Sequence, residues 1–253
     1  MKPIEYIGAR PTRANKRSFF GGWVIVLLAA AAAVFFGRQF SPVLFAAQGK
    51  VSDDNAALTI SRLSQSDSFG DRLAAEGLKR TLENVAYDRS YYTLAYPGGD
   101  IPADRGMASD VIIRAYRGLE IDLQQLVHKD MKKNFQSYPQ IWNAAGPDHN
   151  IDHRRVPNLQ RFFARYGEEC PKTRNQQDYQ FGDVVCWFLA NGETHTGIIV
   201  PGPGELSSEK WVVHNIGAGP VWADILTDYQ IIGHYRYDGR MGKPKDVALL
   251  RID

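Results

Sequence analysis

Gly182-Asp183-Val184-Val185-Cys186-Trp187-Phe188, followed beyond Asn191-Gly192 by Thr194-His195-Thr196-Gly197-Ile198-Ile199-Val200, is the stretch that decides the fold. Short runs of β-branched and aromatic residues, broken by an Asn-Gly pair suited to a tight turn, predict two strands of a hairpin. Lys210 to Asn215 (KWVVHN) and Ile231 to Tyr237 (IIGHYRY) have the same texture and add two more strands. Cys186 alternates with Val184 and Phe188 on one strand face, which is the pattern of a core position.

Upstream of Asp183 the apolar period changes from two to three and four. Leu73, Leu78, Leu82 and Val85 predict a helix over 71–87. Val111, Ile112, Ala115 and Leu119 predict another after Gly106, with Gly118 as its stop. Leu123, Leu126, Val127, Met131 and Phe135 form a third amphipathic stretch, and a helix opening near Pro157 carries Leu159, Phe162 and Phe163 to Gly167. Helices first and antiparallel strands afterwards is the α+β order, in which helices pack on one side of a sheet.

The N-terminal part has a different character. Lys2, Arg10, Arg13, Lys16 and Arg17 outnumber the single acid Glu5 in residues 1–17, and residues 18–37 (SFFGGWVIVLLAAAAAVFFG) carry no charge. About twenty apolar residues is what a helix needs to cross a bilayer. The basic flank before this segment, with only Arg38 just after it, predicts a cytoplasmic tail, an uncleaved transmembrane helix and everything later outside. A cleavable signal peptide would have a shorter apolar region ending in small residues, which Phe45-Ala46-Ala47-Gln48 fits poorly. Residues 38–70, rich in Ser, Asp, Asn, Gln and Ala, read as a stalk, so that the folded domain is expected over 71–253. The formal charge of +2 with mixed signs forms no basic stripe, which argues against nucleic acid as a partner. Cys170 and Cys186 are open to two readings, a disulfide or two buried thiols.

Taken in order, GDVVCWF, THTGIIV and WVVHNIG resemble the Gly-Asp-apolar-apolar strand, the His-x-Gly-Ile strand and the later polar-residue strand of NlpC-like, papain-like cell-wall cysteine peptidases. The resemblance implies a papain-like NlpC-type domain in which a cysteine opens a helix packed on the sheet. It assigns His195 as the base and His214 as the residue that orients it, and it places the nucleophile at Ala108. A helix N-terminus and a neighbouring imidazole are what such a thiol needs to become a thiolate near neutral pH. A closer resemblance, from about Ala86 to Tyr237, is to a secreted bacterial family of unassigned function related to the NlpC type. That family has G-V-C-T-D-V-V-I-R-A where this chain has Gly106-Met107-Ala108-Ser109-Asp110-Val111-Ile112-Ile113-Arg114-Ala115. The shared stretches include AYPGGDIP, DLQQLVHKDM, NIDHRRVPNL and VVHNIGAG.

An alanine methyl cannot attack a carbonyl, so the chain as it stands is expected to be catalytically inactive. Either a cysteine was replaced by design or this is a natural pseudoenzyme, and the otherwise complete motif favours the first. Ser109 is no ready substitute, because a helix turns about 100° per residue and an alcohol needs more activation than a thiol. The resemblance implies a peptidoglycan hydrolase of the peptidase or amidase type, working through a thioester on stem peptides, with no cofactor or metal. It implies a bacterial inner-membrane protein with its domain in the periplasm. The alternatives are a peptidoglycan-binding or regulatory module and a thioester-dependent acyl transferase.

Asp152, His153, Arg154 and Arg155 put both signs of charge just before a helix, where Arg154 or Arg155 is a candidate clamp for a substrate carboxylate. Asp110, with Asp100 and Arg105, stands near the opening of the helix that begins at Ala108, as a second candidate binding group. His149 and His153 are four apart, but no carboxylate-rich helix accompanies them, so no zinc site is expected.

Overall fold

Helix α1 (Asp53–Ser64) is the first described element of the folded unit, and it falls inside the stretch expected to be a stalk. Ala56, Thr59, Ile60 and Leu63, spaced three and four apart, are buried where α1 packs on helix α2 (Phe69–Arg80). The stalk is thus corrected over 53–64: the polar composition hides a one-sided apolar stripe, and the domain begins before Asp71. The computed structural model describes residues 26–29, 53–204 and 206–245. The expected tail, span and stalk at 1–52 lie outside these, save for residues 26–29, which are helical. Among the described residues no helix is long and apolar enough to cross a membrane. The chain divides into two units, Met1–Ser41 and Pro42–Asp253, and every element from α1 onward belongs to the second.

Helix α2 is shorter than its apolar period suggests. Thr81 ends it, its Oγ1 donating to the Leu78 carbonyl at 2.7 Å, which competes with continuation of the helix. Leu82 is left exposed, and Val85 is buried from the segment beyond. That segment holds strand β1 (Ala86–Tyr87), which pairs in parallel with β2 (Arg105–Gly106). Helix α3 (Ala108–Gly118) follows directly and buries Val111, Ile112 and Ala115 as expected. Gly118 is its last residue, as expected, and a β-carbon there would also lie 2.2 Å from the Glu76 carboxylate of α2. The reversal falls at Glu120, with φ of 63°.

Helix α4 (Leu123–Asn134) is capped by Asp122, and α5 (Val156–Tyr166) carries Pro157 in its first turn. Strands β3 (Glu168–Glu169), β4 (Val184–Phe188), β5 (Thr194–Pro201), β6 (Lys210–His214), β7 (Val221–Ala223) and β8 (Gln230–Arg236) form one antiparallel sheet in the order β3-β8-β4-β5-β6-β7. The hairpin expected from Asn191-Gly192 is β4–β5, with Gly192 at φ 80°.

One sheet face meets the helices. Cys186, Ile198, Val200, Val213 and Tyr235 pack there with Leu73, Ile112, Phe162 and Phe163, each fully buried apolar side chain contributing about 1.5–3 kcal/mol. The opposite face carries a smaller core in which Val185, Trp187, Ile199 and Val212 are covered by Tyr179, Ile225 and Leu226. The result is the α+β architecture that the order of periods implied. Cys170 and Cys186 are both free and buried, and burial pushes the Cys186 thiol up to about 12.

Candidate active site

His195 is the second residue of β5 and His214 the last of β6, so antiparallel neighbours bring them together. His195 Nε2 lies 3.1 Å from His214 Nδ1, with the rings edge to face. Gly197 permits this approach: a β-carbon there would stand 2.4 Å from Val212 Cγ1 and 2.9 Å from the Val213 carbonyl oxygen. Both imidazoles are buried, and Trp187, paired with His195 across β4–β5, packs its ring 6.0 Å from that of His195.

Burial pushes His195 down to about 4. Burial, and then the neighbouring His195, hold His214 well below the usual imidazole range. Two neutral rings share one hydrogen bond, so one nitrogen donates and the other accepts. With His195 Nε2 as donor, His195 Nδ1 carries a free lone pair, and His214 carries its own proton on Nε2. That nitrogen is buried and has no hydrogen-bond partner among the described residues.

Ala108 is the first residue of α3 and is buried. Two residues before it, the Gly106 carbonyl accepts from Asp88 N–H at 3.0 Å and from Asn215 Nδ2 at 3.1 Å. Asn215 directly follows His214. On the other side Tyr87 pairs with Gly106, Arg89 reaches Glu193 at 2.5 Å, and Glu193 stands two residues before His195. Three contacts, Asn215 with Gly106, Tyr87 with Gly106 and Arg89 with Glu193, thus tie the chain just ahead of α3 to the segments that flank His214 and His195 in sequence. Asn215, Arg89 and Glu193 are the residues among them that sequence reasoning missed. No local pattern marks them, because each acts on a residue distant in the chain.

The candidate binding residues divide. Asp110 takes the Met107 N–H at 2.8 Å, which fixes the entry to α3. Its two oxygens also receive Arg154 Nε at 2.8 Å and Nη2 at 3.0 Å, while Arg154 Nη1 donates to the Ser90 carbonyl at 2.8 Å. Arg154 is 1% exposed, so the expected carboxylate clamp is corrected: its carboxylate is Asp110, inside the protein. Asp152 is buried as well, accepting from Asp148 N–H at 2.5 Å and from Arg155, and burial pushes its carboxyl up to about 6. His153 is buried, its Nδ1 without a hydrogen-bond partner among the described residues, and burial pushes it down to about 3. Arg155 alone of the four is half-exposed, its guanidinium 4.2 Å from the centre of the Trp142 ring. Asp100 is bound by Arg114 and Arg117, and Arg105 by Asp88. Ser109 is 1% exposed and its Oγ has no partner among the described residues.

An α+β domain with a buried, hydrogen-bonded histidine pair on neighbouring strands is the class that fold and site define. Residues 74–237, from within α2 to just past β8, match the family described as DUF1287, a domain of unknown function, and the chain belongs to that family. It is similar to the uncharacterized protein YijF of Escherichia coli (strain K12), at 48% identity over 164 residues, covering 64% of this chain and 80% of that protein. No solved structure matches.

Proposed function

We propose that this chain is an NlpC-like cell-wall cysteine peptidase or amidase that acts on peptidoglycan stem peptides, present here in an inactive form because Ala108 stands at the nucleophile position. The observation that supports the reading is the bonded pair of His195 and His214, with Asn215, next to His214, bound to the Gly106 carbonyl ahead of α3. The uncharged segment at 18–37 would anchor the domain to the bacterial inner membrane, on the periplasmic side, next to its polymer.

With a cysteine at 108, the N-terminus of α3 and His195 would favour the thiolate. The sulfur would add to the amide carbonyl carbon while the N–H groups at the helix opening face the developing oxyanion. His195 would then pass a proton from Nδ1 to the leaving amine as the C–N bond breaks, leaving a thioester. Water would add next, giving its proton to His195, and the acid product would leave as the thiolate re-forms. An amine in place of that water would make the same chain an acyl transferase. His214 holds the angle and tautomer of the His195 ring.

Ala108 itself favours a second reading, a natural binding or regulatory module that keeps the groove without the thiol. Incubating the chain and its Ala108→Cys variant with purified peptidoglycan, and weighing the muropeptides by mass spectrometry, separates the two. Cleavage by the cysteine form alone supports the hydrolase. In that background His195→Ala abolishes the activity and His214→Ala costs less. Unchanged muropeptide masses, with the alanine form still binding sacculi, make the binding module the better account.

A further inference from the structure

A cavity of about 450 Å³ lies between the opening of α2 and the turn ahead of β4. Lys210, on its wall, is the first residue of β6 and His214 the last, so the cavity sits about 13 Å along the strand from the histidine pair. None of the candidate catalytic or binding residues lines it. Backbone packing fixes one wall: a β-carbon on Gly70 would lie 2.3 Å from the Phe181 carbonyl oxygen, and one on Gly182, at φ 84°, would lie 2.3 Å from the Gly70 carbonyl oxygen.

Phe69, Tyr179, Phe181 and Tyr237 make much of the lining aromatic. The charged groups are answered unequally. Asp71 accepts from the Ser66 hydroxyl at 2.6 Å, and Asp238 from Arg240 Nε at 2.6 Å. Of the two cations on the wall, Arg236 gives Nε and Nη2 to Asp183 at 2.8 and 2.9 Å. Lys210 has no carboxylate in ion-pair contact among the described residues. Its Nζ donates to the Ser208 carbonyl at 2.8 Å and lies 4.3 Å from the centre of the Phe181 ring, which leaves N–H groups to spare. Burial pushes Lys210 down, and Asp183 is the acid that opposes the shift.

A half-buried ammonium without a counter-ion gains from an incoming anion. Aromatic walls favour a flat apolar body on the same molecule. The volume is that of a small-molecule site and admits two fused rings with a short acidic arm. We propose that this cavity binds a small planar organic carboxylate, with its acid group on Lys210 and its rings among Phe69, Phe181 and Tyr237. The site is separate from the peptidase reading, and neither depends on the other.

Ligand-observed NMR titration of the full-length chain with indole-3-acetate and with its neutral isostere indole-3-acetamide tests it. The carboxylate is expected to bind about tenfold tighter, the margin of one charge-assisted contact. Lys210→Met removes that margin, and Lys210→Arg keeps it. Phe69→Leu weakens both ligands alike and leaves the margin in place. Thermal melting checks that each variant is folded, and the comparison of the two ligands on the unaltered chain needs no variant. Equal affinity for the two ligands overturns the site, as does an undiminished margin in Lys210→Met. Failure of the unaltered chain to bind either ligand overturns it as well.

Discussion

Arg154 commits its guanidinium to Asp110 and to the Ser90 and Asp88 carbonyls, and this ties the 152–154 turn to the opening of α3. On sequence alone Arg154 and Arg155 are alike, two basic residues before a helix. Only burial separates them, at 1% and 22% side-chain exposure. Removing one partner of a buried pair leaves a charge without its counterion, so Asp110→Asn is expected to cost about 3–5 kcal/mol in urea unfolding. Arg154→Met is expected to cost a similar amount, and the two together less than their sum, because the double variant buries no lone charge. Additive losses would show that the two side chains act independently.

At the scale of elements, α1 belongs to the domain through three apolar residues on one face. Leu63 is 3% exposed, and Leu63→Ala is expected to lower stability by about 2–5 kcal/mol, read from the urea midpoint at unchanged slope. A stalk residue would show no such loss. Strands β4, β5, β6 and β8 and the helices α3, α4 and α5 were legible because each repeats a single period between clear breaks, whereas β1, β2, β3 and β7, two or three residues long, are too short to show one. The end of α2 was not, since Leu82 and Val85 continue the helical spacing past Thr81. Gly118 is the last residue of α3, as read, and the nearby Glu76 carboxylate, which no local pattern marks, also favours a residue without a side chain there.

For the molecule as a whole, the buried histidines set a pH dependence of known sign. His195 is pushed down to about 4 and His153 to about 3 by burial, against about 6.5 unfolded. The unfolded chain therefore takes up these protons first, and stability is lost as pH falls below about 6.5 toward the folded values. Asp152, pushed up to about 6, works the other way over part of that range, because its folded carboxyl is protonated first. His214, also held well below the usual imidazole range by burial and by His195, adds to the two histidines, which outweigh the single carboxyl. Unfolding free energy is expected to be lower at pH 5 than at pH 7, with a shallower fall in His195→Gln. A rise on acidification would mean that the histidines are not held neutral.

Sequence by itself determined the α+β order, the β4–β5 hairpin and the two strand positions that carry His195 and His214. Period and turn chemistry are local, and they survive without knowledge of what packs on what. Tertiary structure alone decided which charges are spent inside the protein, that Asn215 binds Gly106, and that Arg89 meets Glu193. Asn215 and Gly106, like Arg89 and Glu193, are more than a hundred positions apart, and Arg154 and Asp110 are 44 apart, so no pattern within either segment encodes the partner it will find.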